Sequence, residues 1–300
     1  MNRGGSDLLS VAPITSALLG INVAIFIYCA IASNDLEMNH DVLVSLGMSQ
    51  RELLWEGQWY RLIMPNFLHG GILHIMFNSY ALYLYGPAAE QHFGSSNFGS
   101  LYLLSGVGGF ACSQIFGGYF AVGASASLMG VLGAFLSVAV VACPVMKNAW
   151  KNSSVRNIAF WIGLNFALGL SGMMGEIDNW AHLGGLLFGI ALGAFFELWR
   201  KQRRFGLHLI AGMVLLVALS VVAARWTVFS PYYHIHKAVI AAEEEKNLPA
   251  AEAELTKAVQ WGKFWHKERT IRNVIAAYAV TWNLTSARSR TYVSIEEDNE

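Results

Sequence analysis

The sequence predicts an all-α fold, a polytopic membrane helix bundle, on three observations. Of its 300 residues, 55% are hydrophobic and only 13% are charged, about half the charged share of a soluble domain. Apolar runs recur at 14–33, 67–86, 98–118, 123–143, 158–174, 180–198 and 207–224, close to the roughly 17 to 25 residues that a hydrocarbon core about 30 Å thick requires. Proline, which breaks helix interiors and suits their ends, falls in none of them. Pro13 and Pro65 precede runs, Pro87 and Pro144 follow them, and Pro231 and Pro249 come after the last.

The first run is too long for a signal peptide and lacks both a basic lead and a small-residue cleavage site, so it is expected to stay as a span. The connection at 34–61 mixes Leu53, Leu54, Trp55 and Trp59 with charges, a composition suited to the membrane boundary. Lys147, Lys151 and Arg156 lie between the fourth and fifth runs, and Arg200, Lys201, Arg203 and Arg204 between the sixth and seventh. The positive-inside bias then places the N-terminus in the cytoplasm and the C-terminal tail outside, in a multi-pass protein of the cell (inner) membrane. Three domains are expected: a six-span core at 1–204, a seventh span at 205–225 and an extramembrane helical tail at 226–300. The tail is rich in Ala, Glu and Lys, breaks at Asn247-Leu248-Pro249, carries a weak tetratricopeptide-like pattern and ends in an acidic stretch of disordered composition.

A net charge of zero provides no cationic field for nucleic acid. Cys29, Cys112 and Cys143 all fall in apolar runs without metal-ligand spacing, and are read as packing residues. No cofactor is expected. Asn283-Leu284-Thr285 is a glycosylation sequon that matters only in a secretory compartment.

Ionisable and hydrogen-bonding groups at membrane depth are functional candidates, because each must be paired or hydrated to be tolerated there. The candidates are Arg61, His69, His74, Asn78, Ser125 and His182. His74 and Asn78 are four apart and share a helix face, so that two donors converge on one point. Such donors, with the Ser125 amide at a helix start, form a workable oxyanion site. Gly130 and Gly133 follow Ser125, and Gly185, Gly189 and Gly193 follow His182 at four-residue spacing. Small faces of this kind let helices approach closely. If the fourth and sixth runs pack along them, Ser125 and His182 lie at similar depth, and the imidazole can deprotonate the hydroxyl for attack on a carbonyl. No acidic residue is expected near either motif, which makes this a Ser/His dyad and not a triad.

Each residue alone has a plainer reading. Helical serines such as Ser125 or Ser127 commonly bond their own backbone, a histidine in a span can be a structural hydrogen-bonder, and a glycine repeat can be packing only. Their joint occurrence at matching depth separates this chain from those readings.

On Gly57-Gln58-Trp59-Tyr60-Arg61, His69, His74, Asn78, Gly123-Ala124-Ser125, and Ala181-His182 with Gly185 and Gly189, the chain resembles the rhomboid intramembrane serine proteases across its six-span core. The resemblance implies Ser125 as nucleophile and His182 as general base and then acid. It implies His74, Asn78 and the Ser125 amide as the oxyanion site, His69 supporting that site from behind, and Arg61 anchoring the boundary loop. It further implies cleavage of a transmembrane segment of another membrane protein within the lipid bilayer, with the fifth helix and the 172–179 turn as a gate. The tail would be available for client recruitment or self-association. Ala126 stands where the family often has Gly, and Met129 where an aromatic ring commonly stacks on the histidine. Two other classes compete. A non-cutting pseudoprotease would be expected to lack Ser or His, and a metal or haem protein using His69, His74 and His182 lacks the accompanying Glu or Cys.

Overall fold

A computed structural model describes residues 11–116, 120–142, 151–171, 177–201, 230–264 and 268–281. The run read as a seventh span, Cys143, the sequon and the acidic end lie outside them. The chain divides into a unit at Met1–Ala223 and a unit at Ala224–Glu300.

In the first unit α1 spans Pro13–Ser33, opening on a proline whose fixed φ suits a first turn and closing on left-handed Asn34. The boundary connection folds into α2 (His40–Ser45), strand β1 (Ser49–Gln50), α3 (Arg51–Trp55) and two 3-10 turns at Trp59–Leu62 and Met64–Phe67. Then come α4 (Ile72–Phe93), α5 (Ser95–Phe116), β2 (Phe120–Ala121), α6 (Ser125–Ala142), α7 (Ser153–Ser171) and α8 (Asn179–Lys201). The long helices, 18 to 23 residues each, span roughly 27 to 35 Å at 1.5 Å per residue.

By length and mean hydropathy alone, Pro13–Ser33 and Asn179–Arg200 qualify as spans, and Ser125–Val140 is a shorter apolar helix. The other long helices are diluted by polar side chains that turn inward. Asn78, Glu90, Ser105 and Gln114 are buried, while Leu73, Met76, Phe77 and Tyr80 of α4 and Phe160 and Leu170 of α7 are exposed. An apolar outside around a partly polar inside is what a lipid solvent selects. Leu82, Leu101, Tyr102, Val131 and Leu192 form the core shared by α4, α5, α6 and α8.

The second apolar run is displaced from its expected place. Residues 64–67 form a 3-10 turn and Leu68 is extended, so α4 starts at Ile72 and continues through Pro87 to Phe93. Proline inside a helix removes a hydrogen bond. The last turns persist because buried Glu90 accepts from the amides of Ile14 (2.9 Å) and Thr15 (2.8 Å), from the Thr15 hydroxyl (2.8 Å) and from Ser95 Oγ (2.7 Å). One carboxylate thereby caps α1 and ties it to α4 and the start of α5.

The long helices alternate in direction. Glu90 beside Ile14 and His92 beside Glu197 (3.0 Å) mark one end of the bundle, and Ser113 bonded to Asp178 marks the other. Lys151, Arg156 and Arg200 sit at the first end, and Asp35, Glu37 and Asp41 at the second. At that second end β1 pairs antiparallel with β2, Ser49 opposite Ala121, an element the all-helical expectation did not include.

The second unit contains α9 (Pro231–Glu243), α10 (Leu248–Phe264) and α11 (Glu268–Thr281). Ser230 Oγ accepts from the Tyr232 amide (3.3 Å) to cap α9. Ile235, Ala238, Leu255, Ala258, Ile271 and Ile275 close its core, so a third helix joins the two that the break at Asn247-Leu248-Pro249 separates.

Candidate active site

The site is assembled where α6 and α8 touch backbone to backbone. A methyl group added at Gly185 would overlap Ala126 O, one at Gly189 would overlap Gly130 O, and one at Gly193 would meet Ala134. The three pairs share a single register with both chains ascending, so α6 and α8 run parallel in direct contact. His182, three residues before Gly185, lies on the glycine-bearing face, and Ser125 precedes Ala126. The two side chains therefore emerge within about one helical turn of each other. The glycines of α5 extend this packing: methyl groups at Gly108 and Gly109 would strike Phe188 and Ala181 O.

Ser125 and Ser127 are separated by their surroundings. Ser127 is 0% exposed and its hydroxyl donates to Asn66 Oδ1 (2.6 Å), which makes it structural. Ser125 is half-buried, although Gly123, Ala124 and 126–134 are buried, so of the two serines it is the one that keeps exposed surface.

Gly123 sits at φ +121, a conformation that favours glycine. Its amide donates to Pro65 O (2.8 Å). A side chain there would overlap His74 Nε2 and come within 3.6 Å of Asn78 Nδ2. The two donors on one face of α4 thus border the strand leading into Ser125. The Gly70 amide points at His74 Nδ1 (3.4 Å), which leaves the ring proton on Nε2, the nitrogen that faces Gly123. Asn78 Nδ2 is buried without a hydrogen-bond partner among the described residues. Buried His69 stands edge-on to His74, ring centroids 5.2 Å apart.

Arg61 is 4% exposed and donates to Val44 O (2.8 Å), Met48 O (3.0 Å) and Gln58 Oε1 (2.8 Å), stitching the boundary connection together. Trp59 and Tyr60 beside it are exposed.

His182 is 4% exposed, and its Nδ1 has no hydrogen-bond partner among the described residues. The expectation that no acid lies near the motifs fails in one respect, because Asp178 is four residues before His182. Its carboxylate is turned elsewhere: Oδ1 accepts from the amides of Trp180 (3.0 Å) and Ala181 (2.9 Å), and Oδ2 accepts from the Ser113 hydroxyl. Met129 is buried with Leu132, Ile158 and Phe166, and Phe166 from α7 meets the His182 ring edge-on at 6.3 Å and 84°. An aromatic ring does contact the imidazole, from α7 and not from α6.

Pro65, Asn66, Phe166 and Asp178 were missed by sequence reasoning. Only Asp178 left a signal, as an acidic N-cap residue just before an apolar run. No group of three or more His, Cys, Asp or Glu side chains among the described residues converges as metal ligands. The gate expected at 172–179 falls largely outside those residues.

A family model described as Rhomboid domain matches residues 56–199. Rhomboid protease GluP of Bacillus subtilis (strain 168) is 34% identical over 231 residues, covering 77% of this chain and 44% of the relative. RHOMBOID-like protein 5 of Arabidopsis thaliana is 39% identical over 163 residues, 53% of this chain and 51% of the relative. Putative rhomboid protease YdcA of Bacillus subtilis (strain 168) is 26% identical over 197 residues, 64% of this chain and 92% of the relative. The chain thus spans about half the length of the first two relatives.

Proposed function

The chain belongs to the rhomboid family of integral membrane proteins, and on that premise we propose that it is a serine endopeptidase cleaving transmembrane segments of other membrane proteins. The observation that carries the reading is the α6–α8 register, which sets the half-buried Ser125 beside the turn bearing His182.

In the proposed reaction, Ser125 Oγ attacks the scissile carbonyl carbon as its proton passes to the His182 imidazole. The carbonyl π pair moves onto oxygen, and that oxyanion receives hydrogen bonds from His74 Nε2, Asn78 Nδ2 and the Ser125 amide, the last at the positive end of α6. Collapse expels the amine, which takes the proton from His182. Water, deprotonated by the same imidazole, then hydrolyses the acyl-enzyme and regenerates Ser125. The Asp178 carboxylate is engaged with amides and Ser113, which supports a proton relay of two residues, Ser125 and His182.

The proposed organisation is a catalytic core at 1–204, a seventh span at 205–225 and a tail at 226–300 that recruits clients or self-associates. The charge distribution supports a cytoplasmic N-terminus and an outer active-site end in the cell membrane.

A fluorophosphonate probe applied to the full chain tests the reading. Wild type becomes labelled and cleaves a transmembrane substrate, while Ser125→Ala and His182→Ala do neither and remain folded. Normal turnover in either variant refutes it.

A further inference from the structure

We infer that Asp178 is a positioning residue for His182: by capping α8 and bolting it to α5 through Ser113, it sets where the imidazole stands. The inference rests on the proposed protease reading, and deepens it.

His182 sits in the first turn of α8, whose opening amides have no helical acceptor of their own and are prone to fray. Its own amide donates to Asp178 O (3.1 Å), the first intrahelical bond of α8. The amides of Trp180 and Ala181 both donate to Asp178 Oδ1, so one residue satisfies three consecutive donors. Capping fixes the turn within α8. The bond from Ser113, a fully buried hydroxyl on α5, fixes it within the bundle.

These contacts matter because no hydrogen bond among the described residues holds the imidazole through Nδ1, and its aromatic neighbour Phe166 meets it edge-on with ring centroids 6.3 Å apart. In a serine hydrolase triad an acid bonded to the imidazole orients it. Here an acid orients the backbone beneath it. Gly169 of α7 allows close approach on the other side, since a methyl there would overlap the Asn179 amide group. Freed of its cap, the turn carrying His182 moves relative to Ser125, and displacements of about 1 Å at a reacting group cost about a hundredfold in rate.

The test compares Asp178→Ala, Asp178→Asn and Asp178→Ser in the full-length protein. Asparagine and serine cap about as well as aspartate without its charge. D178A is expected to lower kcat for a transmembrane substrate by about ten- to a hundredfold with KM held within about twofold. D178N and D178S should restore kcat to within about threefold of wild type. Amides 180–182 should exchange at least about tenfold faster in D178A and at the wild-type rate in D178N. The inference is overturned if D178A cleaves within about twofold of wild type, or if D178N falls as far as D178A, which would assign the effect to charge. Should D178A not accumulate, Ser113→Ala keeps the cap and removes the bolt, with about a threefold fall in kcat expected and no change overturning the inference. Failure of wild type to react with fluorophosphonate would remove the protease reading, and the exchange comparison would then decide this one alone.

Discussion

Gly185 on α8 lies so close to the backbone of Ala126 on α6 that no side chain fits between them. The contact sits one residue beyond Ser125 and three beyond His182, so the helix spacing that brings these two residues together depends on the absence of a single methyl group. Gly185→Ala is expected to push the helices apart, costing about 1 to 3 kcal/mol of stability and at least about tenfold in kcat. Thermal unfolding and turnover, measured together, check it. A variant with unchanged turnover would show that the spacing is not what sets the reaction geometry.

Gly123→Ala tests the proposed oxyanion wall separately. Its φ of +121 strains any L-residue, and the added methyl would overlap His74 Nε2. Removal of one oxyanion donor costs about 10² to 10³ in kcat, and a loss of that order is expected here, with substrate binding retained. The split between kcat and KM distinguishes this from general unfolding.

The features legible in the sequence were those with a period. The spacing of Gly185, Gly189 and Gly193 and the four-residue step from His74 to Asn78 survive as a helix contact and a shared face. What was illegible had no period. Two-residue strands such as Ser49–Gln50 have no alternation to detect. Pro87 read as the end of a span because the bonds that carry α4 past it come from Ile14 and Thr15, about 75 residues away. Asp178 carries no sequence signal beyond that of a helix cap, because its side-chain bonds run to backbone and to Ser113, 65 residues away. Phe166 supplies the ring that Met129 does not, a substitution across helices that local spacing cannot reveal.

Glu90→Gln should separate stability from chemistry. Glu90 is 2% exposed and accepts from two amides and two hydroxyls at the bundle end opposite Ser125. An amide presents one acceptor oxygen in place of two and adds donors that meet other donors, so a loss of about 1 to 3 kcal/mol is expected. Below the melting transition kcat should stay within about twofold, since the proposed reacting groups lie roughly 25 Å away along the helices. A large fall in kcat at full foldedness would show that the two ends are coupled.

The tail offers a pH dependence whose sign follows from one ion cluster. Burial pushes the Glu254 carboxyl upward, but hydrogen bonds and charge from Lys257 (2.6 Å) and His234 (2.6 Å) outweigh it and hold the group below the usual carboxylate range. A carboxylate depressed in the folded state contributes stability above its unfolded value, about 4.3 for glutamate, and loses that contribution as pH falls through the folded value. The packing of α9 against α10 should therefore hold from neutral pH down to about 4.3 and weaken below it. Hydrogen exchange of the amides at 231–264 in the full chain, followed from pH 7 down into the acid range and corrected for intrinsic exchange rates, reads this directly. Glu254→Gln should start from lower protection at neutral pH and lose less of it on acidification. Equal acid sensitivity in both proteins would mean that another carboxylate governs the tail.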